Sequence, residues 1–401
     1  MSKNSPLKLF TLKRILIPIL IGLGVAIFMV CQDINEPIIT ETALGQGTHY
    51  WVDSNNDEIV QINELLEVGE KSQGNYKIEK QTSIIKSIIK NWTWASTLCL
   101  FIALLFTAMR DLMYMYRIRL LSDKQLSWRQ SFEIIMLWEF GSAITPSIVG
   151  GSALAFFIVS LEGIPPGRST AIVMITALLD ELFYIVIAPI TILIIGSNLA
   201  FVNDFDFNLF GNTYGIFSVF LMGYGVMCFL TLVILLAIFI SPKGFKYILL
   251  KLSRKRLFKK ISKGMEKMGN DVVMSSKEFR GKSFWFWTKA YLSTVISWSS
   301  RFLAVNFLIL AFTPIGNHLL IFVRQLVMWI ILLISPTPGS SGVAEFAFPI
   351  FLGEFLPIGT STTLSVLWRT YTYYPYIVLG LIVLPIWTSR IIKRKRERRL
   401  D

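Results

Sequence analysis

Eight charged residues lie inside or at the edge of long apolar runs: Arg110, Glu139, Asp180, Glu181, Arg301, Arg324, Glu345 and Arg369. A charge in a membrane-length apolar segment is costly and marks a candidate site. A guanidinium fork matches two phosphate oxygens, so arginine there points to phosphate. Arg110 and Arg301 hold nearly equivalent places in two similar halves, an interval of 191 residues (110 to 301). They are read as phosphate holders, with Arg110 toward the inner leaflet and Arg301 toward the outer if the halves are inverted. Plainer uses also fit: a positive-inside anchor for Arg110 and a structural ion pair for Arg301. Asp180 is expected to pair with an arginine of its own half, and Glu345 with Arg324 or Arg369. Alternatively these carboxylates, with Glu139 and Glu181, are protonated and carry a coupling proton. The sequence leaves both open.

Two Pro/Gly-rich stretches position these groups. The first reads Thr145-Pro146-Ser-Ile-Val-Gly150-Gly151-Ser152-Ala-Leu-Ala155-Phe156, and the second Thr337-Pro338-Gly339-Ser-Ser-Gly342-Val-Ala-Glu345-Phe-Ala347-Phe348. Thr, Pro, Gly, Ala and Phe recur 192 residues apart (145 to 337), and Tyr184-Ile-Val recurs at that interval as Tyr376-Ile-Val. A matched pair of Gly/Pro-interrupted apolar segments points to the binding site of a repeat-built transporter. A helix restarting after Thr-Pro offers unpaired N–H groups and a positive dipole end to an anion. Gly150, Gly151 and Gly342 would admit a headgroup to the backbone; Thr145, Ser152 and Thr337 would offer hydroxyls. Pro146, Pro338, Gly339, Glu345 and Arg369 complete the predicted headgroup site. The same small residues also suit plain helix packing.

The chain of 401 residues is 53% hydrophobic and 16% charged, with net charge +13, and several uncharged runs exceed the length of a membrane span. That composition makes the positive charge a topology signal before a nucleic-acid one. Cys31, Cys99 and Cys228 lie in apolar runs and read as small hydrophobes. The expected architecture is an all-α polytopic membrane protein with about six crossings and two re-entrant helical hairpins in inverted repeats. Its parts are an N-terminal span (1–31), a small extracytoplasmic segment (32–91), a first repeat (92–203), a linking span (204–242), a basic cytoplasmic loop (243–283), a second repeat (284–389) and a basic tail (390–401). Segment 32–91 holds ten acids and five lysines, which suits the outer side, and 50–60 reads as strand, turn and strand. Residues 243–282 hold thirteen Lys/Arg against three acids, which places that loop inside. The second span is expected to end near Met109, with Arg117, Arg119, Lys124 and Arg129 as inside loop charges. Counting sides from loop to loop puts both termini in the cytoplasm of a cell (inner) membrane protein. It also brings the first hairpin in from inside and the second from outside.

The Thr-Pro-x-x-x-Gly-Gly element, Ala-Leu-Leu-Asp180, Pro336-Thr-Pro-Gly-x-x-Gly-x-x-Glu345 and Leu-Trp-Arg369 resemble the lysylphosphatidylglycerol synthase transmembrane-region (flippase-like) family over about residues 92–390. The family pattern often has a Glu and an Arg just after the first Gly-Gly, where this chain has Ser152 and Ala155. The resemblance implies the lipid-moving part of such proteins without the soluble aminoacyltransferase domain that some members carry. The expected function is movement of a phosphate-bearing lipid or lipid-linked precursor between leaflets. The alternatives are a membrane enzyme or subunit that transfers a glycosyl or aminoacyl group on a lipid carrier, and a scaffold acting through its basic loop. His49 and His318 are the only histidines, and no metal spacing, nucleophile elbow or phosphate loop occurs, so no cofactor or metal is expected. Expected partners are membrane lipids (anionic phospholipid or lipid-linked phosphate), with a second copy or a lipid-synthesising enzyme as protein partner, and no nucleic acid.

Overall fold

The computed structural model describes residues 37–43, 46–52, 65–68 and 74–80, isolated positions 24, 60 and 86, and residues 88–397 apart from 146, 203–205, 210–211, 255–261, 334–336 and 358. The expected N-terminal span, Cys31, Pro146 and the last four residues lie outside the described set.

Twelve helices carry most of the described chain: α1 (Trp94–Leu121), α2 (Trp128–Ile144), α3 (Ser147–Leu161), α4 (Pro166–Ile195), α5 (Ile216–Leu235, extended by a π-turn to Ile240), α6 (Pro242–Ser253), α7 (Ser262–Arg280), α8 (Phe284–Leu310), α9 (His318–Leu332), α10 (Val343–Leu352), α11 (Ser361–Thr372) and α12 (Tyr374–Glu397). Four short strands, β1 (Pro37–Glu41), β2 (His49–Trp51), β3 (Leu65–Glu67) and β4 (Tyr76–Lys80), form a sheet in the order β1-β4-β2-β3, and β5 (Asp206–Leu209) pairs with β6 (Asn212–Gly215). The membrane part is helical, and small sheets accompany it. The strand beside β2 is 65–67, while Val60 is irregular, so the turn between them is longer than expected.

Five helical stretches are long and apolar enough to cross a membrane: Trp94–Leu121, Pro166–Ile195, Ile216–Ile240, Phe284–Leu310 and Ser361–Arg394. They match five of the six expected crossings, and the sixth falls on undescribed residues. Large apolar side chains such as Leu193, Trp94 and Phe284 stand exposed on them, as lipid contact requires and water would penalise. The chain is a multi-pass membrane protein. The last stretch is two helices, because Pro375 lacks the N–H to continue α11 and Tyr373 leaves helical geometry there.

Sequence signals explain the boundaries. Thr93, Ser283 and Asn317 cap α1, α8 and α9 through side-chain oxygens, and Ser127 with Gln130 makes a reciprocal box at α2. Thr145 is extended (φ −108°, ψ 137°), the conformation that a following proline imposes, and α2 ends there. In the second element Gly339 and Gly342 have φ of 56° and 82°, which a glycine adopts without strain. At about 1.5 Å per residue, α2, α3, α9 and α10 each fall short of a hydrocarbon core of about 30 Å.

Three charge readings change. Helix α1 runs on to Leu121, so Arg117 is a buried helical residue and not a loop charge. The basic stretch 243–282 contains α6 and α7, which pack on each other, and α7 also packs on α4. Helix α12 carries the tail residues Arg390 and Arg394 onto buried Glu162, which also accepts from Trp387 Nε1 at 2.7 Å; Arg390 reaches Glu133 too.

Apolar packing forms two main cores. One joins the second half of α4 with α5, α8, α9, α10 and α11; the other joins α1, α2, α3, the first half of α4 and α12. Between them lies a cavity.

Candidate functional site

The cavity holds about 340 Å³ and takes side chains from both cores, Ile135 from one and Met227 from the other. Of the predicted residues, Arg110, Glu139, Thr145, Ser152, Asp180, Glu181, Arg301, Thr337, Gly339 and Arg369 line it. Gly151, Gly342, Glu345 and Arg324 are not in its wall, and the surroundings of Pro146, Gly150 and Pro338 lie outside the described set. Arg110 and Arg301 border the same cavity.

The arginines differ in their partners. Arg110 donates to Glu139 Oε1 at 2.5 Å, Asp111 Oδ1 at 2.8 Å and the Tyr376 hydroxyl at 2.6 Å. Arg117 grips both oxygens of Asp180 at 2.6 and 3.1 Å, and Trp298 Nε1 adds a third bond at 2.8 Å. Asp180 thus pairs within its own half. Arg369 donates from Nε to Glu345 Oε1 at 2.8 Å and lies 3.8 Å from the centre of the Tyr373 ring. Glu345 is fully buried, and its other oxygen accepts the Gly342 N–H at 2.7 Å, which caps α10. Arg324 does not reach Glu345; it binds the Leu199 carbonyl and Glu354, because α9 carries it beyond the cavity.

Arg301 stands apart. Its guanidinium lies 4.1 Å from the Trp329 ring centre and 5.3 Å from that of Trp298. Among the described residues it has no carboxylate or hydrogen-bond acceptor, so the structural ion pair is absent there. Stacking on indole satisfies its face while leaving its N–H edge for a ligand. Glu181 is the complementary case. Its one hydrogen bond among the described residues comes from Thr231 at 2.7 Å.

The two elbows meet at this cavity. Tyr373 accepts from Ser341 Oγ and donates to the Ala143 carbonyl, each at 3.1 Å, which ties the second elbow to the end of α2. A side chain on Gly339 would strike Tyr373 and Ala143, and one on Gly151 would strike Ser142. Those glycines let backbone pack closely against protein. Thr145 donates its hydroxyl to the Gly141 carbonyl at 2.6 Å, so toward a ligand it can only accept.

Tyr114, Arg117, Tyr184, Trp298, Trp329, Tyr373 and Tyr376 line the cavity without having been picked as site residues. The sequence carried a signal for two of them: Tyr114 and Arg117 follow Arg110 at helical spacing on one face. Tyr184 and Tyr376 were visible as a repeat pair, though not as site residues.

The model of the lysylphosphatidylglycerol synthase TM region matches residues 76–380. The chain belongs to that family. It is also similar to a UPF0104 membrane protein of Archaeoglobus fulgidus, 27% identical over 315 residues that cover 75% of this chain and 89% of that one. In this family member the matched region contains every cavity-lining residue.

Proposed function

We propose that the chain translocates a phosphate-bearing lipid, or a lipid-linked precursor, between the leaflets of the cell membrane. The observation that carries this is Arg301, a cation with no carboxylate in ion-pair contact among the described residues, held on Trp329 in the wall of a cavity. The cavity volume lies at the lower end of small-molecule sites, which suits a headgroup whose acyl chains stay in the bilayer. Arg110, Arg117 and Arg369 are each committed to carboxylates, which leaves Arg301 as the cavity arginine open to an anion. In this reading both termini are cytoplasmic, the hairpins α2–α3 and α9–α10 enter from opposite sides as inverted repeats, and their elbows gate the cavity in turn.

The test is translocation of fluorescent phosphatidylglycerol by the purified protein in vesicles, read by quenching of the outer leaflet. Wild type moves the probe, and Arg301→Ala slows it about tenfold or more, as loss of a charge-assisted phosphate contact worth about 1.5–3 kcal/mol requires. Equal rates in protein-free and protein-containing vesicles would contradict it.

A further inference from the structure

Glu181 and Arg301 both line the cavity without a countercharge among the described residues, and they can be neutralised in different ways. An arginine stays protonated in proteins, so only an arriving anion neutralises Arg301. A glutamate can take a proton, and a bare carboxylate in an apolar helix favours that outcome. The adjacent residue shows the contrast. Asp180 receives two N–H bonds from Arg117 and one from Trp298, whereas Glu181 receives a single hydroxyl. Of these neighbouring carboxylates, Glu181 is the one left open to exchange a proton.

We propose that Glu181 is a proton-binding site in the cavity, and that its proton travels with the phosphate headgroup. The coupling rests on the translocation reading; the proton site does not. The surrounding charges fit it element by element. On α1, Arg110 and Arg117 are committed to Glu139 (on α2) and Asp180. On α8, Arg301 faces the cavity, and Arg369 at the end of α11 is committed to Glu345. Helix α5 brings Thr231 and, nearby, Cys228; α3 brings Ser152; α9 brings Trp329 and keeps Arg324 on Glu354. Tyr114, Tyr184, Tyr373 and Tyr376 also line the wall, and α7 meets α4 at its start, where Arg168 pairs with Glu278. No cation in that set is placed to hold Glu181 ionised.

The sign of the coupling follows. An ionised Glu181 repels an incoming phosphate across a poorly screened cavity, and protonation removes that repulsion. By reciprocity the bound phosphate raises the proton affinity of Glu181 by the same factor. Proton and headgroup therefore bind together, and a proton gradient drives lipid in the direction that protons flow.

Two measurements decide it. In pH-difference infrared spectra of the purified full chain, a protonated-carboxyl band grows as pH falls, is lost in Glu181→Gln and returns in Glu181→Asp. A band unchanged in Glu181→Gln, or no band at all, overturns the proton site whether or not lipid moves. In vesicles of phosphatidylcholine and phosphatidylglycerol, wild type moves fluorescent phosphatidylglycerol about fivefold or more faster along a proton gradient than against it, the lower range of ordinary coupling. In Glu181→Gln the ratio falls to about one, as loss of that coupling requires. A wild-type ratio of one overturns the coupling. Wild type that shows the band and moves no lipid sinks the translocation reading and leaves the proton site standing.

Discussion

Among the four arginines that line the cavity, Arg110, Arg117 and Arg369 each have a carboxylate within ion-pair reach, and the differences between these pairs can be tested. The Arg369–Glu345 pair is the most deeply buried. Removing one partner strands the other charge, so Glu345→Ala should cost about 3–5 kcal/mol and also uncap α10. A thermal melt in detergent checks this, and the drop should far exceed that of Glu181→Gln, which leaves no cation stranded. Outside the spans, Asp123 is pushed up by partial desolvation, but its hydrogen bond to Lys282 and the charges of Lys282 and Arg168 outweigh that and hold it below the usual carboxylate range. A carboxylate depressed in the folded state contributes stability above its unfolded value and loses it as pH falls through the folded one. The melting difference between wild type and Asp123→Asn should therefore be present at neutral pH and vanish in strong acid. Charged residue types were legible in the sequence, as was the pairing of Asp180 within its half. Arg117 was missed because Arg110 looks like the end of a span, whereas ion pairs on both let α1 continue through them.

At the scale of elements, close helix contacts rest on glycine. Gly380 of α12 lies against Phe140 of α2, and a side chain there would collide with that ring and its Cβ. Gly380→Ala should destabilise by about 1–3 kcal/mol through overpacking, while Gly225→Ala, with open space around it on α5, should change little. Melting temperatures of the two variants give the comparison. Both Thr-Pro breaks were legible, since proline fixes the preceding residue and glycine permits positive φ. The break between α11 and α12 was not read, although Pro375 marks it, because hydropathy continues across it. The basic loop shows a related limit: charge counting gives a side of the membrane and says nothing of the packing of α6 on α7.

Across the whole molecule, hydropathy was enough for the membrane class, and spacing was enough to find the paired elements that border one cavity. What spacing does not carry is distance through space: Arg110 and Arg301 look like opposite ends of a path, and the packing of α1 on α8 brings both to one wall. In the proposed cycle this single cavity opens to each side of the membrane in turn. The direct measurement is labelling of single cysteines at Ser152 and Ser340, both cavity residues, on a cysteine-free background with a membrane-impermeant thiol reagent applied from either side. Each position should be labelled from both sides, and phosphatidylglycerol should slow the labelling in the wild-type background but not with Arg301→Ala. Labelling of both positions from one side alone would contradict it.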